Sequence, residues 1–329
     1  MKNILVTGGL GYVGINVCNL ILKRKNFNCI ILDNLSNSSK DKLKILNKIN
    51  SKKPTFYLNN INDSTINKIF KRKIYAVIHC AAIKSVNESI LKPIEYYNNN
   101  ISGLINLLST MKKNNCNKLI FSSSACVYDH KIKPPYKENS ALVTENPYGF
   151  TKLICEKIIS NYSARNKKFN SIILRYFNPI GTDDTGLLVD NPKNPANIIP
   201  SISKCIRDKK VFNIYGDKYN TKDGSCYRDY IDIRDIAESH MVSLKNISKF
   251  KNEIFNVGTG KPISVKKIVS IFKKDFKYQF KTNITKTRDG DPPISFADAQ
   301  KIYRKLFFKP KFNIMDSLNN ISKYQINDK

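Results

Sequence analysis

"LVTGGLGYVG", residues 5–14, decides how this chain folds. A short apolar run ends at Thr7, four glycines follow between positions 8 and 14, and a helical pattern starts inside them. The glycines form Gly9-x-Gly11-x-x-Gly14 with Gly8 in front. Alone, that spacing is a weak signal; after a strand and opening a helix it has a physical meaning. Glycine allows a tight turn and a close backbone approach, and the helix N-terminus offers N–H groups and a positive dipole end to a pyrophosphate. A loop that merely turned the chain would need no carboxylate at the end of the next strand. Asp33 closes the second apolar run, 33 − 14 = 19 residues beyond the last glycine. A carboxylate there accepts from adenosine ribose hydroxyls and repels a 2′-phosphate, and no arginine comes after it, so NAD is expected rather than NADP.

Outward from this loop the chain alternates. "NILV" (3–6), "CIIL" (29–32), "AVIHC" (76–80), "KLIF" (118–121) and "SIIL" (171–174) read as buried strands. Helical stretches separate them. One places Gly14, Cys18, Ile21 and Leu22 on a face; another places Ile101, Leu104, Ile105, Leu108 and Met111 together. Such alternation predicts an α/β fold with a doubly wound parallel (Rossmann) sheet. After "RYFNPIG" the pattern breaks into "DDTGLLVDNPKNPANIIP", rich in Pro, Asn and Asp. The domain change is placed there: residues 1–178 form an NAD-binding domain, and 179–329 a smaller α/β domain for substrate. No internal repeat is visible.

Composition sets the bounds. With 329 residues and 41% hydrophobic content, one large or two ordinary globular domains are expected. No apolar run is long enough to span a bilayer, and glycines interrupt the only N-terminal stretch that resembles a signal sequence. Eight cysteines lie scattered without a CxxC pair, which predicts free thiols, no metal site and a cytoplasmic setting. The formal charge of +30 invites a nucleic-acid reading. Its lysines, however, are spread among Asn and Ile along the whole chain, forming no arm or stripe. Solvated faces, with salt-sensitive nonspecific attraction to polyanions, account for them better than a specific nucleic-acid site.

"NPYGFTK" (146–152) places Tyr148 and Lys152 one helical turn apart. Any solvated helix face can carry such a pair. A cation beside a phenol also lowers the phenol pKa and makes tyrosine a usable base. "FSSSACVY" (121–128) ends the fourth of these strands with three serines, and strand ends of this kind face the ligand crevice.

Together these motifs resemble the extended short-chain dehydrogenase/reductase family, and within it the UDP-glucose (UDP-galactose) 4-epimerases. The resemblance covers nearly the whole chain and rests also on "ILDNLSNS" (31–38), "IKSVNESILKPIEYYNNN" (83–100), "NPYGFTKLICE" (146–156), "LRYFNPIG" (174–181), "DGSCYRDYI" (223–231) and "RDGDPP" (288–293). It implies a catalytic set of Ser124, Tyr148 and Lys152. It implies an NAD shell of Gly8, Gly11, Tyr12, Val13, Gly14, Asp33, Asn34, Asn37, Asn60, Ile61, Lys84, Asn99 and Phe177, joined by Tyr148 and Lys152. A UDP-sugar shell of Ser124, Asn178, Asn197, Tyr215, Arg228, Arg288 and Asp291 is implied as well. Arginines suit a diphosphate on chemical grounds. The implied reaction is a redox round trip through a 4-keto sugar that leaves the cofactor bound. A homodimer is implied too, built on helices around 93–115 and 148–166.

Two departures stand out. Asn60 replaces the family's usual Asp near adenine, and Cys126 and Asp129 replace the Thr and Gly of "SSSATVYG". Ser295, seven residues past Arg288, falls where a tyrosine restricts relatives to UDP-glucose and UDP-galactose, so a wider range including UDP-GlcNAc and UDP-GalNAc is expected. Nucleotide-sugar 4,6-dehydratases share the cofactor and the Tyr–Lys pair, but carry an Asp-Glu pair where this chain has Ala125 and Cys126. A non-catalytic NAD- or polyanion-binding protein is the alternative of another class; retention of Ser124, Tyr148 and Lys152 together speaks against it.

Overall fold

The computed structural model describes residues 1–192, 195–288 and 290–326. Six strands come first: β1 (Lys2–Thr7), β2 (Phe27–Asp33), β3 (Thr55–Leu58), β4 (Ile74–His79), β5 (Lys118–Ser124) and β6 (Asn170–Tyr176). Next come β7 (Asn178–Ile180), β8 (Phe212–Tyr215), β9 (Tyr227–Asp232), β10 (Asn252–Val257), β11 (Pro262–Ser264), β12 (Thr282–Thr285) and β13 (Ile294–Ser295). The main sheet has seven strands in the order β10-β6-β5-β4-β1-β2-β3. Its pairings are all parallel, as expected when apolar runs are covered on both faces. Order reverses between β1 and β4, and a crevice at the carboxyl ends of these two strands is where such sheets take ligands.

On one face lie helices Tyr12–Leu22 and Ile233–Asn246, whose buried side chains share a core with β1, β2 and β4. On the other, Leu104, Leu107, Leu108 and Met111 pack with Cys155, Ile159 and the opposite sides of the strands. Here the face differs from the expected one: Ile105 is 48% exposed and Leu107 takes its place inside. The cause is the wide-turned segment Tyr97–Ser102 that precedes helix Gly103–Lys113. An i→i+5 turn inserts a residue and rotates everything downstream.

The boundary at 178/179 is crossed by the chain. β7, β9, β11 and β13 form a small sheet, and β8 pairs with β12, beyond the main one. Between them, helix Ile233–Asn246 and β10 return to complete the first unit, β10 pairing with β6 at its edge. Two strands thus exceed the five expected. β3 is a four-residue, half-exposed edge, and β10 lies past the assumed boundary.

Long helix Pro147–Arg165 is fixed by a buried ion pair. Arg175 on β6 donates to Glu156 from Nε at 2.9 Å, and its Nη2 lies 2.5 Å from the second carboxylate oxygen. Both side chains are at most 4% exposed. Ser123 donates to the same carboxylate, while Arg175 Nη1 reaches the Tyr128 hydroxyl and the Glu138 carbonyl. Removing one partner strands the other charge. Glu156→Ala should therefore cost about 3–5 kcal/mol in denaturant unfolding, and the double variant Glu156→Leu/Arg175→Met much less.

Candidate functional site

The glycine loop sits where β1 ends. Gly8 has φ +65°, and a Cβ there would stand 2.7 Å from the Ala81 backbone. A Cβ on Gly14 would stand 2.1 Å from Gly8 O, whereas one on Gly11 would meet only Gly8 O, at 3.2 Å. The space over Gly11 is therefore open. Helix Tyr12–Leu22 begins there without a side-chain cap and without an acidic residue in its first turn. Its first amides are left for an anion.

Asp33, 8% exposed, binds this loop to the end of β2. One carboxylate oxygen accepts from Leu10 N at 2.9 Å; the other accepts from Leu35 N and Ser38 Oγ, both at 2.9 Å. Three of about four acceptor sites on a carboxylate are used, leaving room for a ribose hydroxyl. A cleft open to solvent runs over these residues. Gly8, Gly11, Asp33, Asn34, Asn37, Ile61 and Asn99 line it, as expected from sequence. Cys80, Ala81, Ala82 and Ile83, at the end of β4, line it as well, as do Ser36, Ser38 and Asn59. Sequence reasoning missed these, although the rule that strand ends face the crevice covered the β4 end. Pyrophosphate space, free helix amides and an acceptor carboxylate fit NAD.

The remaining expected cofactor residues stand elsewhere. Asn60 is exposed and closes its own turn through Asn62 N at 2.9 Å; Asn59, not Asn60, lines the cleft. Tyr12 donates to Gly181 O at 2.6 Å, and Val13 packs into the core. The Lys84 ammonium lies 5.7 Å from the Tyr12 ring and 3.6 Å from Asp190. Phe177 stacks with Tyr128 in a separate aromatic cluster.

Ser124, Tyr148 and Lys152 come together between β5 and helix Pro147–Arg165. Asn146 caps that helix through Gly149 N, and Pro147 occupies its first turn, which fixes where Tyr148 starts. Ser124 ends β5, and its side chain is one of the groups that act on the Tyr148 phenol. Ser124 Oγ accepts from Cys126 N at 3.2 Å. Lys152 is 4% exposed, donates to Ser122 O at 2.8 Å and stands 4.9 Å from the Phe121 ring centre. Burial lowers the Lys152 pKa. For Tyr148 burial is the largest influence and raises the pKa, with Ser124 pulling the other way. The expected lowering is thus not a property of the protein alone, because desolvation outweighs it. His79 and His240 are buried and held neutral, at about 3 and about 4. No group of three or more metal-ligating side chains occurs among the described residues.

Of the expected substrate residues, Asn178, Arg228 and Ser295 stand on the smaller sheet, and Tyr215 on the β8–β12 pair. Arg228 on β9 meets Asp291 at 2.5 Å. Ser295 on β13 is in register with Arg228 and is 6% exposed. The Arg288 guanidinium lies 3.7 Å from the centre of the Tyr215 ring, and its buried Nε has no hydrogen-bond partner among the described residues. A buried donor left unpaired is costly, and a phosphate oxygen would satisfy it. Asn178 opens β7 beside Tyr230. Asn197 stands apart: it is exposed, 3.4 Å from Asp190, at the start of helix Ile198–Arg207. Ala125–Val127 form one turn after Ser124, and no carboxylate stands in it.

Residues 4–258 match the model of the NAD dependent epimerase/dehydratase family. A UDP-glucose 4-epimerase of Yersinia enterocolitica is 39% identical over 98% of this chain and 97% of its own length. The UDP-glucose 4-epimerase of Bifidobacterium longum, solved with NAD+ and UDP, superposes with a TM-score of 0.94 at 35% identity, covering 99% of both chains. The UDP-Glc/GlcNAc 4-epimerase of Campylobacter jejuni superposes with a TM-score of 0.85 at 34% identity, covering 99% and 98%.

Glycine substitutions test the cleft. In Gly14→Ala the methyl must displace Gly8, so both stability without ligand and retained NAD(H) should fall. In Gly11→Ala the methyl enters open space. Retained NAD(H), measured in the supernatant after denaturation, should fall there while the melting temperature of the stripped protein stays near that of the parent.

Proposed function

We propose that this chain, which belongs to the NAD dependent epimerase/dehydratase family, catalyses reversible 4-epimerisation of UDP-hexoses and retains its NAD throughout. One observation carries the reading: the dinucleotide cleft and the Ser124–Tyr148–Lys152 group lie at the carboxyl ends of one sheet, and the turn after Ser124 lacks any acid–base carboxylate. Without that pair, elimination of water across carbons 5 and 6 has no catalyst, so the dehydratase alternative loses. The full-length likeness to UDP-glucose 4-epimerases supports the same choice.

Gly8, Gly11, Gly14 and the first amides of helix Tyr12–Leu22 would hold the pyrophosphate, and Asp33 the adenosine ribose. NAD, when bound, supplies a hydride acceptor and donor at sugar carbon 4 and, oxidised, a positive ring that opposes the effect of burial on Tyr148. The Tyr148 phenolate, formed once that positive ring and Lys152 offset burial, would take the proton of the 4-hydroxyl and return it when hydride comes back on the other face. Ser124 Oγ, at the end of β5, orders the reacting hydroxyl beside that phenolate. Lys152 adds fixed positive charge. Arg228 and Arg288 anchor the diphosphate, so the 4-keto sugar can rotate without leaving. Net oxidation is zero, and no free cofactor is consumed.

Substrate breadth comes from Ser295. A serine in register with Arg228 leaves the volume that a tyrosine ring would fill, and a larger carbon-2 group is excluded only by filling that space. Both UDP-glucose/UDP-galactose and UDP-GlcNAc/UDP-GalNAc are therefore substrates. The protein works as a homodimer through the helices that carry the exposed Ile94, Ile105 and Phe150. Eight unpaired thiols suit the cytoplasm. Among the described residues no helix is long and apolar enough to cross a membrane.

Incubation with UDP-galactose and no added NAD should yield UDP-glucose. A preparation that releases no NAD(H) and stays inactive when NAD is supplied would refute the reading. Tyr148→Phe should lower kcat by roughly a hundredfold or more with little change in KM, the scale of a lost general base. Ser295→Tyr should abolish turnover of UDP-GalNAc and spare UDP-galactose; equal loss of both would reject the pocket argument.

A further inference from the structure

Beneath Lys152 lies a hydrogen-bonded chain that takes no direct part in the epimerisation. His240, on helix Ile233–Asn246, is fully buried. Its Nδ1 is 2.9 Å from Ile236 O, and its Nε2 is 3.1 Å from Ser122 Oγ. Ser122 Oγ also meets Cys80 Sγ at 3.2 Å. The backbone oxygen of the same Ser122 receives Lys152 Nζ at 2.8 Å.

Chemistry fixes the direction of the chain. Ile236 O, which also takes the Ser239 hydroxyl at 2.7 Å, can only accept, so Nδ1 must carry the proton. A buried imidazole here is neutral, which leaves Nε2 as an acceptor. Ser122 therefore donates its one hydroxyl hydrogen to His240, and a lone pair of its oxygen receives the Cys80 thiol. The serine is held from both sides at the position where its carbonyl meets Lys152.

We propose that His240 is a positioning residue: by accepting from Ser122 it fixes the backbone oxygen that holds Lys152. The proposal rests on the role of Lys152 in the epimerase reading, and two measurements keep the two claims separable. The first needs no catalysis. In 15N NMR of histidine-labelled holoprotein near neutral pH, His240 should show a protonated Nδ1 and a bare Nε2. The reverse tautomer, or a cation, overturns the proposal.

The second is kinetic, with UDP-galactose. His240→Leu should lose roughly tenfold or more in kcat with KM changed less than about twofold, the signature of a misplaced group rather than lost binding. His240→Gln, whose amide oxygen can accept from Ser122, should recover most of kcat. Ser122→Ala keeps the carbonyl but frees it, and should reproduce the kcat loss even if the leucine variant does not fold. Losses that track melting temperature equally in all three variants, or no loss in Ser122→Ala, overturn the proposal. An inactive parent protein refutes the epimerase reading, and the tautomer measurement then still decides whether His240 holds Ser122.

Discussion

A single buried charge pair, Arg175 with Glu156, is what the working part of this protein hangs from. Ions of opposite sign in a dry interior hold each other only if every remaining hydrogen-bonding position is filled. Here Ser123, the Tyr128 hydroxyl and the Glu138 carbonyl fill them. Those partners come from β5 and from the loop after it, while Arg175 itself stands on β6, so the pair ties a helix to two strands at once. Glu156 is four residues beyond Lys152 and eight beyond Tyr148, close to one and two helical turns. All three share a face. Fixing the glutamate therefore fixes the height and rotation of the lysine and the phenol over the sheet.

The cofactor side is built on a different principle. Asp33 has one structural task, restraining the loop through Leu10, Leu35 and Ser38, and keeps one acceptor position for a ligand. Gly8 and Gly14 are needed because backbone meets backbone, Gly11 because a ligand must pass. Recognition here is made mostly of main chain, held in shape by one carboxylate. On the opposite side of the proposed reacting centre, the groups offered to a diphosphate are long cations. Arg228 is already paired with Asp291 and Arg288 is stacked on Tyr215, so neither has to be ordered from solvent when a diphosphate arrives.

Much of this was legible in the sequence wherever geometry is local. The glycine loop, Asp33 and the Tyr148–Lys152 spacing specify their own backbone, and the structure has β1, β2 and helix Tyr12–Leu22 where those signals lie. What sequence did not disclose depends on distant partners. β3 is only four residues long and half-exposed, too short to declare itself, and β10 is recognisable as a member of the first sheet only once β6 is beside it. Ile105 matched the helical period yet faces outward, because a wide turn upstream changes the phase. His240 carries no local signal at all: its meaning comes from a serine 118 residues away. Asn60, a family position, has a side chain that accepts from its own turn, which the motif did not disclose.

The late return of β10 and helix Ile233–Asn246 also bears on how the chain is made. As it emerges from a ribosome, the first 178 residues carry an unpaired β6 edge and a helix, Tyr12–Leu22, whose outer face has nothing to cover it. The helix face waits for Ile233–Asn246, and the β6 edge for 257 − 178 = 79 more residues, since β10 ends at Val257. Over that interval a parallel edge and an apolar helix face are open to other chains, the conditions under which nascent proteins aggregate or engage chaperones. Sequence-distant pairing of this kind makes folding slow. It also welds the smaller unit to the larger at two points, so neither half of the molecule is an independent product of translation.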